Sequence, residues 1–222
     1  MLPGFMSPTK SNAKRESISE YKALSRVPVG GFASRDILVD GLQADTQERD
    51  NWCWAAVGAA LLAIQEGEFG QSQCKIANMY AGRSSYQSIN EVLLRGNCCD
   101  PSVDADTAGL LNEVLDILRI SNGGWWARGN LDDEIGHMKA KLRDGRPVPV
   151  FIDWPSSNIG HFVVIFGFSK LDGQPAVHIY DPAKSYRNIG NVRLVTIRKF
   201  ANNYDGGGRW THGYDAFSTG RV

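Results

Sequence analysis

An α+β architecture, with a helical first half and an antiparallel β second half, is predicted by three observations. Between Asn51 and Arg143 apolar residues recur at helical spacing. From Val148 onward they gather instead into short β-branched and aromatic runs separated by turn residues. The two regimes follow one another rather than alternating, which argues for two packed halves and against a parallel sheet wound with helices. A chain of 222 residues suits one domain with a single core, plus extensions.

Residues 1–35 are rich in Ser, Lys, Arg, Pro and Gly and show little periodicity, so they read as a flexible leader, with the folded domain spanning 36–222. Within the leader, Val27-Pro28-Val29-Gly30-Gly31-Phe32-Ala33 should be extended and then pliable, the form a protease accepts. A helix is expected from about Asn51 to Gln65, with Asp50 and Asn51 as capping types and Gly67 and Gly70 beyond its end. A second short helix is expected over Cys74–Ala81. In Asp104–Ser121, Leu110, Leu111, Val114, Leu115 and Leu118 fall at helical spacing behind an acidic front, and Asn122-Gly123-Gly124 ends that pattern. Asn130 opens a further helix over Leu131–Arg143, stopped by Gly145 and Pro147. Strands are expected at Val148–Trp154, His161–Phe168, Pro175–Tyr180, Arg193–Phe200 and Arg209–Phe217. Lys170-Leu171-Asp172-Gly173-Gln174 is the tight turn between the second and third.

Lys plus Arg balance Asp plus Glu, 24 each, with no basic run, so nucleic acid is not an expected partner. No apolar run approaches the roughly 20 residues of a membrane span. The first residues lack the apolar segment of a Sec signal peptide, so Sec-dependent export is not expected. Cys53, Cys74, Cys98 and Cys99 are few, and two are adjacent, which does not suit a disulfide framework and suits a reducing compartment with at least one working thiol. With no CxxC or paired His spacing, no metal and no other cofactor is expected.

Cys53 falls in the first turn of the first helix, where unpaired backbone N–H groups and the helix dipole favour negative charge. Read alone it is more simply a small buried hydrophobe between Trp52 and Trp54, which is what most lone cysteines are. A working thiolate needs a base, a group that orients the base, and donors for the oxyanion. His161 opens a strand and Asp181 closes the next, so antiparallel pairing brings them near each other. His137 lies mid-helix, His178 inside a strand, and His212 in a late strand with only Asp215 near in sequence. Gln47, six residues before Cys53, can carry an amide donor over the helix start beside the Cys53 N–H.

Gln47, Cys53-Trp54 opening a helix, Gly160-His161 opening an apolar strand and Asp181 closing the next stand in the order found in papain-like cysteine proteases, which residues 45–217 resemble. Asn51-Trp52-Cys53-Trp54-Ala55-Ala56, Gly160-His161-Phe162 and Tyr180-Asp181-Pro182 look most like the AvrRpt type III effector proteases of plant-pathogenic bacteria. The resemblance implies a papain-like fold, with the active-site cleft between the helical and β halves. It implies Cys53, His161 and Asp181 as the catalytic residues and Gln47 as the oxyanion donor. It further implies type III delivery into the cytoplasm of a plant cell, cleavage of a host immune-regulator protein at Val-Pro-x-Phe-Gly-like sites, and self-cleavage that removes the leader. Val27, Pro28 and Gly31 fit that site and Gly30 stands where Phe is expected, making Gly31–Phe32 the candidate bond. A host prolyl isomerase acting at Gly-Pro steps is the activator the family implies, and the chain has no Gly-Pro step. The same trio also serves a deamidase or a transglutaminase-like acyltransferase, the alternative reading.

Overall fold

The structure is a computed structural model and describes residues 36–66, 71–82, 97–157, 159–183 and 191–217. The leader and the Gly31–Phe32 bond lie outside the described residues. In chain order the elements are β1 (Ile37–Leu38), α1 (Cys53–Glu66), α2 (Gln73–Ala81), α3 (Leu111–Ile117), β2 (Ser121–Ala127), α4 (Leu131–Arg143), β3 (Val148–Trp154), β4 (Ile159–Leu171), β5 (Gln174–Tyr180), β6 (Val192–Thr196), α5 (Ile197–Asn203) and β7 (Arg209–Ala216). The seven strands form one antiparallel sheet in the order β2-β7-β3-β4-β5-β6. The two-residue β1 pairs with β4 at Phe168 and Gly167, beyond the stretch that β3 occupies.

Helix α1 is the centre of the core. Trp52 to Val57 and Ala60 to Ala63 are buried, so the dense Ala and Leu content reflects a helix enclosed on nearly every side. It packs against α2, α3 and β4. Asn130 caps α4 as expected, accepting from the Asp132 N–H at 2.9 Å. The β4–β5 hairpin turns at Asp172 and Gly173, both at positive φ, which is the backbone of a two-residue turn that Asp-Gly favours.

Four expectations are corrected. The acidic front 104–110 is not helical, and α3 is only seven residues long. Its polar groups serve α1 instead: Asp106 Oδ1 accepts from Asn51 N at 2.7 Å, the Ala105 carbonyl from Trp52 Nε1 at 2.8 Å and the Thr107 carbonyl from Trp54 Nε1 at 3.0 Å. Gly109 lets this strap run close, because a Cβ there would lie 2.6 Å from the Trp54 ring. The Gly-rich stretch after α3 is not a terminator. It is the edge strand β2, whose irregular register between Ser121 and Trp125 absorbs the glycines. The Arg193–Phe200 pattern divides into a strand and a helix, with Ile197, Phe200 and Ala201 as the buried face of α5. Finally, Cys74 and Cys99 form a disulfide, leaving Cys53 and Cys98 as the free thiols. Asn78 fixes the loop opposite Cys74, accepting from Cys98 N at 2.8 Å, while the Asn97 side chain accepts from Cys99 N at 3.0 Å. The pairing depends on this fold-dependent approach, which residue spacing does not encode.

Candidate active site

Cys53 is the first residue of α1, so its backbone N–H has no partner within the helix. The segment just before it is tied from two sides. The strap at 105–107 holds residues 51, 52 and 54, and the end of β5 holds residues 45–47. Tyr180 Oη donates to the Asp45 carbonyl at 2.6 Å, Gln47 N to the Pro182 carbonyl at 2.9 Å, and Asn191 Nδ2 to Thr46 Oγ1 at 3.0 Å. Buried Gln73 on α2 adds a clamp, its amide donating to the Thr46 carbonyl and accepting from Glu48 N. The start of the cysteine helix is therefore tied directly to the stretch that carries Asp181.

His161 and Asp181 meet as the strand geometry predicts. His161 Nε2 lies 2.8 Å from Asp181 Oδ1, the aspartate being fully buried and the histidine side chain 12% exposed. Asp181 Oδ1 also accepts from Ala183 N at 3.1 Å, and Oδ2 accepts from Tyr204 Oη at 2.6 Å. Burial alone would lower the His161 pKa. The Asp181 charge and hydrogen bond, together with a hydrogen bond involving Cys53, outweigh that and raise it to about 10. Burial pushes Asp181 the other way, toward a higher pKa, but the His161 charge and the donors around the carboxylate win and lower it. With Nε2 committed to Asp181, the ring's other nitrogen is left for the thiol. An imidazole placed in this way can take a thiol proton and hold it as an imidazolium.

Gln47 sits before the helix start as expected, but its amide is engaged. Nε2 donates to the Arg49 carbonyl at 2.9 Å and the Asp50 carbonyl at 2.5 Å, while Oε1 is buried without a partner among the described residues. Asn51 likewise differs from a helix cap, since its amide points to the Asp106 carbonyl. The other histidines are engaged elsewhere: His137 edge-on to Trp126, His178 against Phe166, and His212 beside Thr211, Trp125 and Phe151. Cys98 is the other free thiol, and burial pushes its pKa up, which disfavours thiolate chemistry there. Tyr204 was not singled out by the sequence, where it is one aromatic residue ahead of Asp205-Gly206-Gly207-Gly208 with no motif around it.

The glycine before His161 has a packing reason. A Cβ on Gly160 would fall within the Phe151 ring, which meets Phe162 across the strand pair at a tilt. Gly160→Ala is therefore expected to lower stability by about 1–3 kcal/mol through overpacking. Urea-unfolding midpoints of the two proteins measure this, and an unchanged midpoint would remove the packing explanation.

A family model described as papain-like cysteine protease AvrRpt2 matches residues 35–205. A search of curated proteins found no match. Among solved structures, the chain is similar to digestive procathepsin L 3 of the Tenebrio molitor larval midgut, at 14% identity over 86% of this chain and 72% of that one, TM-score 0.48. It is also similar to the proform of the ragweed pollen cysteine protease Amb a 11, at 12% identity over 94% and 70%, TM-score 0.48. Bromelain from Ananas comosus, in complex with the E64 inhibitor, is 11% identical over 84% of this chain and 100% of that one, TM-score 0.46. By the family match, which spans most of its length, the chain belongs to the AvrRpt2 family of papain-like cysteine proteases.

Proposed function

We propose that Cys53 is the nucleophile of this protease, His161 its general base and Asp181 the carboxylate that orients and charges His161. The observation that carries the reading is the buried 2.8 Å contact between His161 Nε2 and Asp181, with the raised His161 pKa that accompanies it. His161 takes the Cys53 proton and the thiolate attacks a peptide carbonyl. The imidazolium then returns the proton to the leaving amine, and water, deprotonated by His161, releases the acyl group. The Cys53 N–H is the first oxyanion donor. Gln47 is the second, once its amide turns from the Asp50 carbonyl toward the substrate oxygen.

The match to the AvrRpt2 family supports a finer reading. The chain enters a plant cell through a type III system, loses residues 1–31 by self-cleavage at Gly31–Phe32, and through its 36–222 domain cuts a host immune regulator at Val-Pro-x-Phe-Gly-like sites. A host prolyl isomerase is the activator this reading calls for. The test is mass spectrometry of a Val-Pro-x-Phe-Gly peptide that also contains a glutamine, incubated with the protein alone and with a prolyl isomerase. Two fragments with an intact glutamine support proteolysis. An uncut peptide whose glutamine has become glutamate supports the deamidase reading instead.

Gln47→Ala is expected to lower kcat by roughly 10²–10³-fold with little change in KM, the pattern of a lost oxyanion donor. Unchanged kcat with lowered thermal stability would reduce Gln47 to a clamp on the 49–50 turn.

A further inference from the structure

We propose that Tyr204 is a positioning residue of the active site, holding the Asp181 carboxylate in the one rotation that presents Oδ1 to His161; the proposal rests on the Cys53–His161–Asp181 reading. Among the described residues, Asp181 receives three donors on its two oxygens. Oδ1 takes His161 Nε2 and Ala183 N, and Oδ2 takes only the Tyr204 hydroxyl among the described residues, at 2.6 Å. Rotation about the Cβ–Cγ bond would break the tyrosine bond, and Asp181 is fully buried, so water is not at hand to replace the lost donor. Without Tyr204, His161 would rest on a carboxylate anchored at one oxygen.

Tyr204 is itself held in place more firmly than packing requires. Its backbone pairs in both directions with Gly208, at 2.8 and 2.7 Å, closing the turn in which Asp205, Gly206 and Gly207 take positive φ. Gly208 has no room for a Cβ, because the Trp154 ring and Ile152 lie there. The Tyr204 ring, 1% exposed, meets Phe200 edge-on at 5.4 Å and Trp154 at 6.1 Å. The Arg193 guanidinium lies over it at 4.3 Å and pairs with Asp205 at 2.8 Å. A phenylalanine would fill the same space, so the packing does not explain the hydroxyl. Burial and the neighbouring Asp181 charge hold the phenol far above its usual pKa, so the hydroxyl remains a donor across the working pH range.

Asp181 is faced by His161 on β4, Tyr180 on β5 and Tyr204 after α5, with Cys53 beyond His161. Arg193 on β6 and Asp205 act on it through the tyrosine. In Tyr204→Phe none of these other groups changes, and the carboxylate alone is freed to turn.

The test is cleavage kinetics of wild type, Cys53→Ala, Tyr204→Phe, Asp181→Ala and the Tyr204→Phe/Asp181→Ala double variant, across pH and with thermal melts. Tyr204→Phe is expected to lose roughly 10-fold in kcat with KM near wild type, since misplacing a catalytic group acts on the chemical step. The basic limb of its pH profile should move to lower pH, because a turned carboxylate supports the imidazolium less well. In the Asp181→Ala background the same change should cost nothing further, since the hydroxyl acts only through that carboxylate. Wild-type kcat, an unmoved or upward-moved basic limb, or a full additional loss in the double variant overturns the proposal. If Tyr204→Phe is too unstable to assay, a Tyr204→Phe/Asp181→Ala variant clearly less active than Asp181→Ala, at a temperature where both are folded, also overturns it. A dead Cys53→Ala beside a fully active Tyr204→Phe overturns the tyrosine proposal alone. An active Cys53→Ala removes the triad reading and this proposal with it.

Discussion

Cys53→Ala is expected to reduce peptide cleavage by roughly 10⁴-fold or more, leaving only what the oxyanion donors and substrate binding supply. The substitution removes one sulfur atom from a side chain that is 2% exposed, so the fold should survive it. The indole bonds of Trp52 and Trp54 to the 105–107 strap, the Gln47 bond to Pro182 and the burial of Ala55 to Val57 are all independent of the thiol. Far-ultraviolet circular dichroism should be unchanged and the melting temperature within a few degrees. Residual activity near that of wild type would assign the nucleophile elsewhere, with Cys98 the remaining free thiol.

The second large effect falls on Asp181. Asp181→Ala removes the partner of His161 Nε2 and should lower kcat by roughly 10²–10⁴-fold. The same pair also makes stability depend on pH. The folded-state pKa of His161 is raised from 6.5 to about 10, so its stabilisation is complete below about pH 6.5, where both states are protonated. As pH rises from there toward 10 the unfolded chain gives up its proton first, and stability falls by up to about 1.4 kcal/mol per pH unit. Asp181 has the opposite sign: its lowered pKa contributes stability above the ordinary value of 3.8, and that contribution is lost as pH falls through the lowered value. Urea unfolding of wild type and Asp181→Asn at pH 6.5, 8 and 9.5 isolates the effect. The gap between the two proteins should narrow with rising pH, and a constant gap would mean that the pair is not ionised in the folded state.

The parts of this protein legible in its sequence are those decided by short-range chemistry. Asn130 and the acidic first turn mark the start of α4, Asp172-Gly173 marks the β4–β5 turn, and β-branched runs mark β3 and β5. The approach of His161 to Asp181 was readable too, because antiparallel neighbours place the start of one strand near the end of the other. Long-range demands were not readable. Residues 104–110 have helix-compatible spacing, yet their carbonyls and the Asp106 carboxylate are drawn out to serve Asn51, Trp52 and Trp54. Two glycines hid β2, whose strand character comes from β7 beside it. The Cys74–Cys99 bond and the Tyr204 hydroxyl on Asp181 depend on distances that no local pattern carries.

The strap at 105–107 has a kinetic consequence. It holds the entrance of α1 by bonds between residues about fifty positions apart in the chain, and the base arrives on a strand from the opposite half. Loop closures of this length form late, after local helices and hairpins. On the proposed Cys53–His161–Asp181 reading, a chain still emerging or still unfolded carries its thiol without a base and cannot cut itself or its neighbours. On that reading, folding is itself an activation step, because it is what brings His161 to Cys53.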